Sequence, residues 1–229
     1  MDSIQLICDI IYIMLSFYFC IGFGPFGDHK INASWEAVKE LTTLSLQPDI
    51  NLVVEEIPVE YKIVKEKVPA LWECHEPDLM VHVGVSGLAT ELTLEQQAHN
   101  GPYDKPDVRF MIPRNMCCME NGPQHIESRI KMAYVCHNIN ISQCPVKSVV
   151  SHNPGRYLCD FIYYTSLHHI HAKSGQGNAA FIHVPPLGRP YTAKQLAEGL
   201  KLAILNMLQQ SDSASEDIPE CNSWQSIAT

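Results

Sequence analysis

The sequence predicts an α/β protein: a single-domain, three-layer α/β/α sandwich built on a central mixed, mostly parallel sheet. Apolar runs of strand length alternate along the chain with segments of helical spacing, the pattern of a sheet flanked by helices. Residues 79 to 85, Leu-Met-Val-His-Val-Gly-Val, are almost continuously apolar, as a strand covered on both faces reads. No internal repeat or linker interrupts residues 15 to 210, and 46% of the 229 residues are hydrophobic. A chain of this length hides about 70% of its unfolded surface on folding, so one core suffices without staples.

Residues 4 to 23 form the longest apolar run. Taken alone it has the character of a signal peptide or a short membrane span. Against that, no Lys or Arg precedes it, Asp9 interrupts it, and it lacks a small-residue cleavage site. It also runs unbroken into Gly22-Phe23-Gly24-Pro25-Phe26-Gly27. A strand leading into a functional turn is therefore expected, with residues 1–19 an apolar extension or first strand and 20–210 the α/β domain. A membrane or secretory role for the run is the alternative.

Ser34 to Leu41 reads as an amphipathic helix with a polar start, and Ile50 to Ile57 as a strand. Pro58 to Trp72 places Val59, Ile63, Val64, Val68 and Leu71 near helical spacing. Residues 98 to 123, rich in Pro, Asn and Gly, read as irregular. Ile126 to Val135 predicts a helix, Val146 to Ser151 a strand, Cys159 to His169 a helix and Ala179 to Val184 a strand. Ala193 to Leu208 predicts the last helix. The Ser/Asp/Glu-rich residues 211–229 read as a disordered polar tail.

Sixteen basic against 25 acidic residues give a net charge of −9, which removes nucleic-acid binding from consideration. The nine cysteines (Cys8, Cys20, Cys74, Cys117, Cys118, Cys136, Cys144, Cys159, Cys221) are odd in number and scattered, with no C-x2-C pair. Free thiols in a reducing compartment are expected, and hence a cytoplasmic protein. Asn32-Ala33-Ser34 and Asn140-Ile141-Ser142 match glycosylation acceptors, which matter only in a secreted chain. Neither a dinucleotide fingerprint nor a P-loop is present, and no cluster has metal-ligand spacing, so no cofactor and no metal are expected.

In open α/β sheets, sites gather at the carboxyl ends of strands. Cys159 stands there, just after a strand and at the start of a helix, where backbone N–H groups favour a thiolate. His183 closes a strand before Pro185-Pro186, and Glu95 follows the Gly84 to Gly87 turn. A thiolate, an imidazole that moves its proton and a carboxylate that holds the imidazole make a cysteine-peptidase set. Spacing alone leaves His82, His99 and His152 as competitors for the base.

At these residues the sequence resembles pyroglutamyl-peptidase I, a family of cysteine peptidases that remove N-terminal pyroglutamate. The likeness spans about residues 20 to 210. It rests on Gly22 to Gly27 with Asn32-Ala33-Ser34-Trp35, on Glu56 to Tyr61, and on His82-Val83-Gly84-Val85-Ser86-Gly87. Gly155-Arg156-Tyr157-Leu158-Cys159-Asp160 with Tyr163 to Leu167, then His183-Val184-Pro185-Pro186-Leu187-Gly188, complete it. The resemblance implies Cys159 as nucleophile, His183 as general base and acid, and Glu95 as the orienting carboxylate. It implies Phe23 and Phe26 as walls for the flat lactam ring, and Arg109 near the oxyanion. N-terminally pyroglutamylated peptides are the implied partners, and no oligomeric state is specified. Ile21 departs from the small polar residue usual before the Gly-Phe-Gly turn. Ser151-His152-Asn153-Pro154 stands where Asp-Ala usually precedes the next Gly. A catalytically weakened or silent relative acting by binding is the alternative.

Overall fold

The computed structural model describes residues 17–27, 30–47, 50–173 and 175–213. Eight strands appear in chain order: β1 (Phe17–Phe23), β2 (Asn51–Ile57), β3 (Leu79–Val85), β4 (Leu92–Glu95), β5 (Gln97–His99), β6 (His125–Glu127), β7 (Ser148–Ser151) and β8 (Asn178–Val184). Between them run α1 (Ala33–Leu41), α2 (Tyr61–His75), α3 (Met132–Ile141), α4 (Leu158–Ala172) and α5 (Ala193–Ser213). Six strands form one sheet in the order β2-β1-β3-β8-β4-β7; β5 and β6 form a separate antiparallel ladder. Within the large sheet only the β4–β8 boundary is antiparallel, so β4 and β7 run against the other four. This is the mixed, mostly parallel α/β sandwich expected.

Alternation along the strands builds the two cores. Cys20, Leu79, Val81, Val83, Leu92, Leu94, Ala180, Ile182 and Val184 pack beneath α1, α3 and α5. The intervening residues Phe19, Ile21, Phe23, Met80, Ala179 and Phe181 pack beneath α2 and α4. Because strand side chains alternate with a period of two, Glu95, Gly84 and His183 belong to the second face, the one α4 covers.

Several boundaries differ from expectation. Of the run from residue 4 to 23, residues 17–23 are β1, hydrogen-bonded to β2 on one side and β3 on the other; residues 1–16 lie outside the described residues. No helix among the described residues is long and apolar enough to cross a membrane. The helix expected from Pro58 starts at Tyr61, whose N–H donates to the Asp107 carboxylate at 3.0 Å. The helix expected over Ile126–Val135 is instead β6 followed by α3. Ser128 interrupts it, accepting the Ile130 N–H and donating to the Ala179 carbonyl, while the Gln96 side chain accepts the Met132 N–H at 3.0 Å and seats α3. The helical spacing of Ile126, Ile130 and Val135 comes from two elements in succession. The final helix continues through Ser213, so residues 211–213 of the expected tail are helical and 214–229 lie outside the described residues.

Candidate active site

Strand register brings three chemical groups to one place. Gly84 pairs with His183 across β3–β8, while Thr93 pairs with His183 and Glu95 with Phe181 across β4–β8. Glu95 is thus the diagonal neighbour of His183 on the face that α4 covers, within reach of a long side chain. Its Oε1 lies 2.9 Å from His183 Nδ1. Cys159 acts on the same ring and raises its proton affinity; with Nδ1 held by Glu95, Nε2 is the nitrogen left to face the sulfur.

Cys159 is the second residue of α4, following Tyr157, which caps the helix in an extended conformation. At that position its N–H has no partner within the helix and points, with the positive end of the helix dipole, out of the first turn. The sulfur has room because residue 84 is glycine. A β-carbon there would stand 2.8 Å from Cys159 Sγ and 2.7 Å from Phe181 Cζ. The preceding loop turns through Gly155 at φ +86. Asn153 accepts from Arg156 at 2.8 Å and donates its own N–H to Ser151 Oγ, and Pro154 is buried. The two unusual residues therefore form an ordered loop that still delivers Cys159 to the helix start.

The electrostatics order the three groups by depth. Glu95 is 1% exposed, His183 8%, and Cys159 half-buried. Burial alone would push the imidazole down, but Cys159 and Glu95 together overcome it and push His183 up to about 10. That direction favours an imidazolium between the sulfur and the carboxylate. The competing histidines are placed differently. His82 is fully buried beside Ser166 Oγ at 2.8 Å, and burial pushes it down to about 3, so it is a neutral core residue. His99 lies against Asp160, and His152 stands in the exposed loop after β7 with its carbonyl accepting from Gln97.

A cavity of about 520 Å³ opens onto the site, lined by Cys159, His183, Glu95, Phe23, Phe26 and, at its rim, Lys105 and Arg156. Phe23 ends β1, and the turn beyond it is held by Asn32, whose side-chain amide donates to the Gly24 carbonyl at 2.9 Å. The same Asn32 caps α1 by accepting the Ser34 N–H and hydroxyl. It is 3% exposed, so this glycosylation triplet is closed to a glycan in the folded chain.

Arg109 is not brought to the cavity. Its Nε lies 3.2 Å from Glu60 Oε1, its side chain is 72% exposed, and it borders a separate hollow beside Tyr61 and Met111. Asp107 sets this course by accepting the Arg109 and Met111 N–H groups and turning the chain outward. Three further residues had no sequence signal apart from their neighbours. These are Gly84, which makes room for sulfur; Asp160, buried beside Cys159; and Tyr163, whose hydroxyl donates to the Glu95 carbonyl at 2.9 Å. Among the described residues no group of side chains is arranged to hold a metal ion.

A family model described as pyroglutamyl peptidase matches residues 18–208. The chain is 48% identical over 201 residues to pyroglutamyl-peptidase 1 of Homo sapiens, covering 88% of this chain and 94% of that protein. It is 38% identical over 173 residues to the human pyroglutamyl-peptidase 1-like protein, covering 75% and 85%. Among solved structures, the pyrrolidone carboxyl peptidase of Fervidobacterium islandicum AW-1 superposes with a TM-score of 0.76 at 26% identity, over 85% of this chain and 99% of that one.

Proposed function

Because the chain belongs to the pyroglutamyl peptidase family, and is a cysteine peptidase that hydrolyses the amide after an N-terminal pyroglutamyl residue, we propose that Cys159 is its nucleophile, His183 its general base and acid, and Glu95 the carboxylate that orients His183. One observation carries the assignment: Glu95 holds His183 at 2.9 Å, and His183 and Cys159 line the same cavity.

The steps follow from that line. The Cys159 sulfur, as thiolate beside the His183 imidazolium, attacks the pyroglutamyl carbonyl carbon, and its electrons become the new C–S bond. The carbonyl oxygen takes the negative charge near the Cys159 N–H at the helix start, the placement an oxyanion donor requires. As the C–N bond breaks, His183 gives its proton to the departing amine, leaving a thioester. Water then gives a proton to His183 and attacks the thioester. The C–S bond breaks, and pyroglutamate leaves with the thiolate–imidazolium pair restored. Glu95 keeps the ring in the tautomer and orientation this needs without taking the proton itself.

Phe23 and Phe26 line the cavity on the β1 side, where a neutral, flat lactam can rest on aromatic faces without a charged partner. The reading further places the enzyme in the cytoplasm, supported by the described cysteines being free thiols, the state a reducing compartment maintains. Purified wild-type protein should hydrolyse a fluorogenic pyroglutamyl amide but not its glutamyl counterpart, and iodoacetamide should stop it. Cys159→Ala should abolish turnover with an unchanged circular-dichroism spectrum; substantial residual activity there would refute the nucleophile assignment.

A further inference from the structure

The catalytic line closes into a ring through a residue that takes no part in the steps above. Cys159 is followed by Asp160, the third residue of α4, whose side chain is 0% exposed. Its Oδ1 accepts the backbone N–H of His99 at 2.8 Å, a bond between residues 61 apart in sequence. His99 ends β5, four residues beyond Glu95. The His99 carbonyl in turn accepts the Tyr103 hydroxyl, so His99 is held through both its peptide groups. The path runs Glu95, His183, Cys159, Asp160, His99 and back along the chain to Glu95. Tyr163 ties the Glu95 carbonyl to the second turn of α4; Asp160 ties the next residues to the turn that carries the sulfur.

We propose that Asp160 is a positioning residue for the hydrolysis: its carboxylate clasps the His99 N–H to the first turn of α4 and so holds the Cys159 sulfur and the Glu95–His183 pair at reacting distance. The proposal rests on the assignment of those three residues made above.

The chemistry of the contact favours a use for the charge itself. An amide oxygen could accept the same N–H without burying an ion, whereas a charge-assisted bond is shorter and stronger. The carboxylate is also incompletely satisfied. Oδ2 is buried without a hydrogen-bond partner, with Arg156 3.5 Å away, and His99 Nδ1 stands 3.5 Å from Oδ1 outside hydrogen-bond geometry. Around it stand His99 from β5, Tyr103 from the loop that follows, Cys118 from the loop before β6, Arg156 from the loop before α4, Tyr163 from α4 itself and Glu95 from β4. Burial pushes the Asp160 carboxyl up to about 7 and Glu95 adds to this, while the His99 N–H, Arg156 and Tyr103 pull it down. His99 itself is lowered, first by burial and then by Arg156 and His125, and His183 holds its proton to about 10. At about 7, the charge of Asp160 changes near neutrality.

The sign of the linkage separates positioning from mere support. A carboxyl raised in the folded state contributes stability at low pH that is lost as pH rises through about 7. Above that, the ionised group works against the fold. Removing its charge should therefore leave stability equal or greater while impairing turnover, whereas an ordinary structural residue would lose both together.

Asp160→Asn is the test, with kcat and KM on a fluorogenic pyroglutamyl amide followed from about pH 5.5 to about pH 9, and thermal melts at the alkaline end. We expect a melting temperature at or above wild type and a kcat lower by about 10- to 100-fold, the cost of a sub-ångström to 1 Å misplacement. KM should stay within about twofold, and the acid limb near neutrality should disappear. Wild-type kcat with the limb intact, or a kcat loss that only tracks loss of folded protein, overturns the proposal. Should Asp160→Asn not accumulate as folded protein, Tyr103→Phe, which frees the other side of His99, must show the same kcat loss at unchanged KM. Wild-type kinetics in that variant overturns the proposal equally. Failure of the underlying assignment shows separately, as wild-type turnover that iodoacetamide does not stop.

Discussion

Replacing Gly84 with alanine adds one methyl group at the point where the strand bearing it meets Cys159, the proposed nucleophile. The new carbon would lie 2.8 Å from Cys159 Sγ and 2.7 Å from Phe181 Cζ, against an ordinary contact that begins at 3.4 Å, so the two atoms must retreat by 0.6 and 0.7 Å (3.4 less 2.8 and 2.7). Neither has slack. The sulfur is only two bonds from a helical Cα, and Phe181 is fully buried, with Tyr163 at 5.9 Å and His183 at 4.8 Å between ring centres. The β3 backbone is bonded on both sides, to β1 and β8. The displacement therefore falls on Cys159 and on the ring beside His183. With about 1 Å of misplacement costing about 100-fold, kcat should fall about 10- to 100-fold, roughly 1.4–2.7 kcal/mol of barrier. Overpacking of this kind costs about 1–3 kcal/mol of stability, partly offset by about 0.4–1 kcal/mol of lost unfolded-chain freedom. At about 2–4 °C per kcal/mol for a chain this size, the melting point should drop by a few degrees. Gly87→Ala is the stability control, since its β-carbon would meet nothing within 4 Å. Steady-state kinetics on a pyroglutamyl amide, with differential scanning fluorimetry, reads both. A Gly84→Ala enzyme with wild-type kcat and melting point would show that the sulfur does not rest against this glycine.

Glu95→Gln should lower kcat less than Cys159→Ala does, because an orienting group supports the proton transfers without performing them; equal inactivity in the two variants would reverse that ranking. Arg109→Ala should leave kcat and KM within about twofold, given its 72% exposure and its partner Glu60 outside the cavity; a large loss would return Arg109 to the oxyanion. His82→Leu should leave turnover at neutral pH within about twofold while making the fold more acid-resistant. The wild-type ring is lowered to about 3, so the native state loses stability as pH falls below 6.5, and acid-induced unfolding followed by fluorescence should show that slope flattened. Because Cys159 and Glu95 raise His183 to about 10, the imidazolium pair is present below that pH and lost above it; activity should persist through mildly alkaline pH and fail as pH approaches 10. An alkaline limb already complete near neutrality would contradict the pairing.

Strands buried on both faces announced themselves plainly: β3 and β8 are almost uninterrupted apolar runs, and the alternation of helix and strand around them sufficed for the class. The strand β4 did not. Leu92 to Glu95 is four residues long, two of them polar, and its pairing with β8 and β7 depends on partners 50 to 90 residues away. The join between β6 and α3 was hidden for a related reason. A chance helical spacing of apolar residues ran through a corner that Ser128 and Gln96 build with side-chain bonds. At the site, Cys159, His183, Glu95, Phe23 and Phe26 stood in motifs and were legible by likeness. Asp160 stood in the same motif, yet its bond to the His99 backbone N–H, on which the proposed role rests, is one that no local pattern marks. Arg109 was drawn to the oxyanion only by likeness in an irregular segment, where Asp107 in fact steers the chain outward.

The unread strand is also the one that decides the chemistry of the carboxylate. Alone, Glu95 beyond a glycine turn reads as solvated; in the fold it is 1% exposed. The reversal of β4 is the cause. Had β4 run parallel to β8, its last residue would have emerged at the same edge as the end of β8, beside the open cavity. Running antiparallel, it brings Glu95 opposite Phe181, two residues behind His183 and beneath the ring. The imidazole is thereby placed between a dry carboxylate on Nδ1 and the half-buried sulfur, with Glu95 behind the ring and Cys159 toward the cavity. A buried carboxylate holds the ring more strongly than a solvated one, because little water competes for its oxygen. With Nδ1 held by Glu95, the proton on Nε2 is the one the proposed mechanism moves. One antiparallel boundary in an otherwise parallel run of strands thus brings together the three residues of the proposed proton path.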